Sequence, residues 1–184
     1  MALKLFLTGD PGCGKTTAVR RVVERLRGRV RMTGFITEEL RRDGRRIGFR
    51  GVTLDGTPFP LADRDARGEL RVGPYRVVLD GLESIGLAAL EPGGAQLVVL
   101  DEVGKMELLS SRFRERVTAL VEGTTPLLAT IALHGVGFIR RLRHDPRVTL
   151  VKMSRHDSDT AVGDAIRRLR DAGVVPRRNG TGRS

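Results

Sequence analysis

The chemistry-bearing residues of this chain gather in two short stretches. The first is Gly9-Asp10-Pro11-Gly12-Cys13-Gly14-Lys15-Thr16, which is G-x-x-x-x-G-K-[ST] residue for residue, the spacing of a loop that cradles phosphate groups. Glycines at 9, 12 and 14 allow backbone conformations and a close approach that side chains would block. The N–H groups of such a loop point inward at phosphate oxygens, and a helix opening near Lys15 adds the positive end of its dipole. In this reading Lys15 neutralises β- and γ-phosphates, and the Thr16 hydroxyl ligates a Mg²⁺ ion that keeps several waters. The expected nucleotide-binding set is Gly9, Asp10, Pro11, Gly12, Cys13, Gly14, Lys15, Thr16 and Thr17. Cys13 stands where a small side chain fits. Asp10 reads as a solvated acid, with a catalytic role as the alternative. Average residue usage yields the motif by chance in under about one in a hundred chains of this length, so a ligand-free turn is the weaker reading.

The second stretch is "QLVVLDEVGKMELL", Gln96 to Leu109. Four apolar residues run into Asp101 and Glu102, and burying two adjacent charges is costly unless a positive group sits there. Mg²⁺ on a bound triphosphate is such a group. Asp101 would hold the metal through its water shell, which makes Thr16 and Asp101 the expected metal residues. Side chains of neighbouring strand residues diverge, so Glu102 can face the γ-phosphate and activate a water for in-line attack. An exposed strand-end turn is the bland alternative for the pair. Phosphoryl transfer also needs positive charge on the developing anion. The expected catalytic set is Glu102, Lys15 and Lys105; Arg50 and Arg112 are further cations to weigh. Glu107 is a third acid without an assigned role, and Met106 reads as packing.

Those stretches need a frame. "LKLFLT" (3–8) reads as a buried strand closed by "GDPG". Val19, Val22, Val23 and Leu26 lie on one face of a helix. The Asp43-Gly44 and Asp55-Gly56 turns predict a β-hairpin or meander between residues 34 and 79, with 61–74 as a loop and 75–79 strand-like. A helix is expected from about Asp80 to the Pro92-Gly93-Gly94 stop, then a strand at 97–100 and a helix over 111–122. Strands at "PLLATI" and "VTLVKM" flank a short helix at "GFIRRLR". Val162, Ala165, Ile166 and Leu169 mark the last helix. Strands that are apolar throughout and alternate with helices predict an α/β fold with a mostly parallel sheet covered on both faces. The expectation is one domain over 1–175 and a basic tail at 176–184.

Composition sets outer limits. A length of 184 residues suits one domain. The opening apolar run is too short for a signal peptide, and nothing reaches membrane-span length. A single cysteine allows no internal disulfide and agrees with a cytoplasmic setting. The net charge of +11 would attract polyanions. Its arginines are scattered over several segments, however, and 4% aromatics leaves little for base stacking. Nucleic acid is therefore the less favoured partner, and a monomer is the expectation.

Taken in order and spacing, "FLTGDPGCGKTT", "TGFITEELRRDGRRIGFRGVTLDG", "VGPYRV", "VVLDEVGKMELLSSRF" and "LLATI" resemble the THEP-type, or cancer-related, nucleoside triphosphatases. The likeness covers about Leu3 to Ala172. It implies Mg²⁺-dependent hydrolysis of nucleoside triphosphates such as ATP and GTP, and a three-layer P-loop NTPase fold related to the RecA-like ATPases. Thr37, Glu38 and Glu39 match the family's "TEE" segment, where a loop near the γ-phosphate and plain turn residues are both readings. One departure stands out: "KMSRHDSD" replaces the family's Asn-Arg-Asp stretch near the base. Only Asp157 corresponds there, with Arg155 and His156 in the other places.

Two competing functions share the same phosphate loop. A small kinase would pass the γ-phosphate to an acceptor, with His134–Arg147 as a poor imitation of an Arg-rich lid. A nucleotide-gated RNA- or partner-binding module would instead exploit the basic surface.

Overall fold

Among the described residues nine strands form one sheet in the order β5-β6-β4-β3-β2-β7-β8-β1-β9. The structure is a computed structural model that describes residues 1–155 and 158–175. Its strands are β1 (Lys4–Gly9), β2 (Met32–Arg42), β3 (Arg45–Thr53), β4 (Pro58–Asp63), β5 (Arg71–Val72), β6 (Tyr75–Val77), β7 (Leu97–Val103), β8 (Leu127–Ala132) and β9 (Val148–Met153). The helices are α1 (Lys15–Leu26), α2 (Leu79–Gly81), α3 (Leu87–Ala89), α4 (Ser111–Glu122), α5 (Phe138–Arg143) and α6 (Ser158–Asp171). A π turn, Leu82–Gly86, joins α2 to α3, and a 3₁₀ turn, Glu107–Leu109, precedes α4.

The five strands β2, β7, β8, β1 and β9 run parallel. Their alternate residues feed two cores. Leu5 and Leu7 of β1 and Val99 of β7 pack beneath α1 and α6, with Val19, Val22, Val162 and Leu169. Phe6, Val98 and Leu100 pack on the opposite face against Phe113, Val117 and Leu142 of α4 and α5. Strands buried on both faces account for the unbroken apolar runs in the sequence. The expected three-layer, mostly parallel sandwich holds.

The insertion after α1 is larger than a hairpin. The first residues of β2 pair in parallel with β7. From Phe35 onward the same strand pairs antiparallel with β3, and the meander continues through β4, β6 and β5. Asp43 (φ 50°) and Gly44 (φ 75°) make the two-residue turn between β2 and β3, where two positive φ values match the twist of the strands. The 61–74 stretch, expected as a loop, holds the end of β4 and all of β5, and the strand at 75 stops at Val77. The following helical stretch begins at Leu79 and leaves regular α-geometry at its π turn.

The connections from the neighbouring strands β1 and β8 leave in opposite directions, one through α1 to β2 and the other through α5 to β9. In such sheets ligands bind beyond the carboxyl ends of the strands, at the point where the order reverses. Here that point lies between β1 and β8. No helix among the described residues is long and apolar enough to cross a membrane.

Candidate phosphate site

The loop between β1 and α1 takes the shape its glycines permit. Gly12 (φ 75°) and Gly14 (φ 96°) both occupy the left-handed region. At Gly9 a Cβ would lie 2.4 Å from the Met153 carbonyl oxygen and 2.7 Å from Cys13 Sγ, so only glycine fits there. Cys13 is buried and its N–H donates to the Asp10 carbonyl at 3.1 Å; its side chain fills the base of the loop, as expected for a small residue. Asp10, Pro11 and Thr17 are exposed. The Lys15 ammonium donates to the carbonyls of Gly9 (2.9 Å) and Asp10 (3.1 Å).

Asp101 anchors the site. It is fully buried, and each carboxylate oxygen takes two hydrogen bonds. Oδ1 accepts from the hydroxyls of Thr16 on α1 (3.2 Å) and Thr130 on β8 (2.7 Å). Oδ2 accepts from the hydroxyl (2.9 Å) and the N–H (3.3 Å) of Thr37 on β2. The Thr37 hydroxyl also lies 2.8 Å from the Asp101 carbonyl oxygen. The two sequence stretches therefore meet directly, through Thr16 and Asp101. The "TEE" segment, expected as a loop or as turn residues, instead lies inside β2, where pairing with β3 holds it extended and brings Thr37 to Asp101. Thr130 had no signal beyond a single hydroxyl in an apolar strand.

Glu102 follows Asp101 near the end of β7. The peptide bond joining it to Asp101 is cis. A Cβ on Gly104 would lie 3.0 Å from Glu102 Oε1 and 3.0 Å from Glu107 Oε2, so the two carboxyl groups flank this glycine. Burial, then the Asp101 charge, push the Glu102 carboxyl above its usual range, and Lys15 pulls it back. Glu107 is buried. Desolvation first and the Glu102 charge second raise its carboxyl to about 8. Sequence reasoning left Glu107 without a role; its fifth place after Glu102, behind a glycine turn, was the available signal.

The other cations are placed differently. Arg50 pairs with Glu38 (2.8 Å), which also holds Arg20 of α1 (3.0 Å). Hydrogen bonds from Arg50 and then Arg20 outweigh burial and keep the Glu38 carboxyl below its ordinary range. Glu39 pairs with Arg41 and Arg46 at the hairpin end. Arg112 faces Glu83 at 3.5 Å. Lys105 is exposed and forms no ion pair among the described residues. Arg155 is exposed, whereas His156, Asp157 and the 176–184 tail lie outside the described residues.

No group of three or more His, Cys, Asp or Glu side chains among the described residues forms a metal cluster. The donors on offer are one hydroxyl and one carboxylate, both hard oxygen ligands. That set fits Mg²⁺, which takes few protein ligands and completes its shell with waters and phosphate oxygens. Thr16 could ligate it directly. Asp101, with four hydrogen bonds already on its oxygens, would act through water.

The NTPase family model matches residues 4–166. The chain belongs to that family. Among curated relatives, nucleoside-triphosphatase THEP1 of Thermotoga petrophila is 38% identical over 166 residues, covering 89% of this chain and 91% of its own. The human cancer-related nucleoside-triphosphatase is 36% identical over 183 residues, covering 90% and 96%. Two solved family structures superpose closely. The crystal structure of THEP1 from the hyperthermophile Aquifex aeolicus gives a TM-score of 0.82 at 32% identity, covering 91% of this chain and 99% of that one. The solution structure of the human protein gives 0.80 at 34%, covering 92% and 98%.

Proposed function

We propose that this chain is a nucleoside triphosphatase that releases diphosphate and phosphate, with Mg²⁺ and an activated water. Family membership supports the hydrolase class. The observation that carries the site assignment is the Thr16–Asp101 contact, which joins the phosphate loop to the acid strand at 3.2 Å. Gly9 to Thr17 would wrap the triphosphate, with the Lys15 ammonium passing from the loop carbonyls to the β- and γ-phosphates. Mg²⁺, held by Thr16 and through water by Asp101, would offset the charge of the phosphate oxygens. Glu102 would orient the water and take its proton as the water oxygen bonds to the γ-phosphorus. The bridging P–O bond then breaks and its electron pair leaves with the diphosphate. Lys105, three residues further along, exposed and without an ion pair among the described residues, would be a further cation for the phosphates.

Purified protein given Mg-ATP and no acceptor should release phosphate, and EDTA should stop it. Release only on adding a nucleoside, nucleotide or other acceptor would assign a kinase instead. Retention on RNA that survives physiological salt, with turnover stimulated by that RNA, would favour the binding module; binding lost between low and moderate salt would be general electrostatics.

A further inference from the structure

α5 ends in a cation that lies within His134–Arg147, the stretch weighed above only as a poor imitation of a kinase lid. Arg143 is half-buried. Its guanidinium donates through one terminal nitrogen to the Thr8 hydroxyl at 2.9 Å and reaches the Ala132 carbonyl at 3.4 Å. Thr8 immediately precedes Gly9, the first residue of the phosphate loop. Ala132 closes β8, two residues after the Thr130 that bonds Asp101. The guanidinium thus bridges the ends of the two strands between which the sheet order reverses, where a ligand is expected.

The arginines placed earlier are already paired with carboxylates. Arg20 and Arg50 share Glu38, and Arg112 has Glu83. Arg143 meets no carboxylate among the described residues; its partners are a neutral hydroxyl and a carbonyl. A half-buried guanidinium bonded only to neutral groups keeps an unneutralised charge, which a bound phosphate would complement. A guanidinium has five N–H donors, and a single nitrogen makes both of these contacts, so donors remain for phosphate oxygens. The tether to Thr8 fixes the group before substrate arrives, the condition under which a charge stabilises a transition state without reorganising.

We infer that Arg143 is a further catalytic residue, a cation supplied in cis from α5 to the γ-phosphate oxygens during transfer. The inference rests on the hydrolase reading above. As the water oxygen bonds to phosphorus and the diphosphate departs with the bridging electron pair, Arg143 donates hydrogen bonds to the equatorial oxygens. It neither gains nor loses a proton; the water's proton goes to Glu102.

Arg143→Gln and Arg143→Lys separate charge from bracing, because glutamine can still donate to Thr8 but carries no charge. Arg143→Gln should lower kcat at least about a hundredfold with KM within about threefold, and Arg143→Lys should stay within about tenfold of the parent. ADP with aluminium fluoride, which mimics the transferring phosphoryl group, should bind Arg143→Gln at least about tenfold more weakly than the parent, with ADP alone unchanged. Equal kcat for the glutamine variant and the parent, or an equal loss of ADP affinity, would overturn the inference and leave Arg143 a brace. If Arg143→Gln does not fold, Thr8→Val decides, since it keeps the charge and cuts the tether. A fall in kcat with ADP affinity intact then supports the inference, and an unchanged kcat sinks it. A parent protein that releases no phosphate would remove the hydrolase reading itself, a distinct failure that takes this inference with it.

Discussion

At Asp101 three hydroxyls from three separate elements converge on one buried carboxylate, which ties α1, β2 and β8 to β7. Thr37→Val keeps the size and strand preference of the side chain but removes its hydroxyl. Asp101 Oδ2 would keep only the Thr37 N–H, at 3.3 Å. Leaving a buried carboxylate short of a donor costs about 1–3 kcal/mol, which urea unfolding would read, and phosphate release should fall with it. Glu102→Gln, with Asp101 untouched, should bind nucleotide normally and release phosphate at least about tenfold more slowly; normal turnover would remove Glu102 from the mechanism. Thr16 and Asp101 were legible in the sequence because each sits in a motif whose spacing encodes a geometry. Thr37 was marked only through the "TEE" resemblance, without a settled role, and Thr130 not at all, since threonine in a strand is explained by β-propensity alone and only the sheet order brings both to β7. Arg143 escaped for a related reason: one arginine among many declares nothing until its partners are known.

The elements that carry those residues were read unevenly, and the difference has a physical origin. α1 and α4 present apolar residues at helical spacing, and both occupy the expected ground. The stretch after β6 is less regular because two of its glycines are packed tightly against β4. A Cβ on Gly81 would lie 2.8 Å from Pro60, and one on Gly86 would lie 3.0 Å from Phe59. The π turn runs from the residue after Gly81 to Gly86 itself. Glycine inside a helical pattern marks such close approach, but the partner cannot be named before the fold is known. β5 was hidden because its Arg71–Val72 pair is short and lies at the sheet edge, where charged residues and brief strands discourage further pairing. This irregular segment is tied to α4 through Ser110. Its hydroxyl donates to Glu83 and accepts from the Phe113 N–H at 3.1 Å, capping the helix. Ser110→Ala should therefore cost about 1–2 kcal/mol, the high end for a cap, because Glu83 loses a partner as well. A urea midpoint indistinguishable from that of the parent would show that neither bond contributes.

For the whole molecule, the acids gathered at the end of β7 make folding sensitive to rising pH between about 4.5 and 8. Glu107 of the 3₁₀ turn faces Glu102 and Asp101 of β7, with Lys15 of the phosphate loop acting on Glu102 from above. On the α4 side, Arg114 donates to the neighbouring Leu108 carbonyl. Burial and the two acids raise the folded-state carboxyl to about 8, from the ordinary glutamate value of 4.5. Below 4.5 the group is protonated in folded and unfolded chains alike, and its contribution is fully present. Between 4.5 and 8 the folded state holds a proton that the unfolded state has released, so stability falls as the pH rises. Above 8 both states are ionised and the loss is complete. Glu107→Gln copies the protonated acid and has no proton to lose, so its stability advantage over the parent should open from about pH 5 and level off near pH 8. At about 1.4 kcal/mol per pKa unit, the plateau is on the order of a few kcal/mol. Urea midpoints of both proteins at pH 5, 6.5 and 8 would read that advantage directly. Parallel midpoints across the series would mean that Glu107 ionises in the folded protein as readily as in the unfolded chain, and that the acids at the end of β7 sit in a far more polar setting than their burial implies.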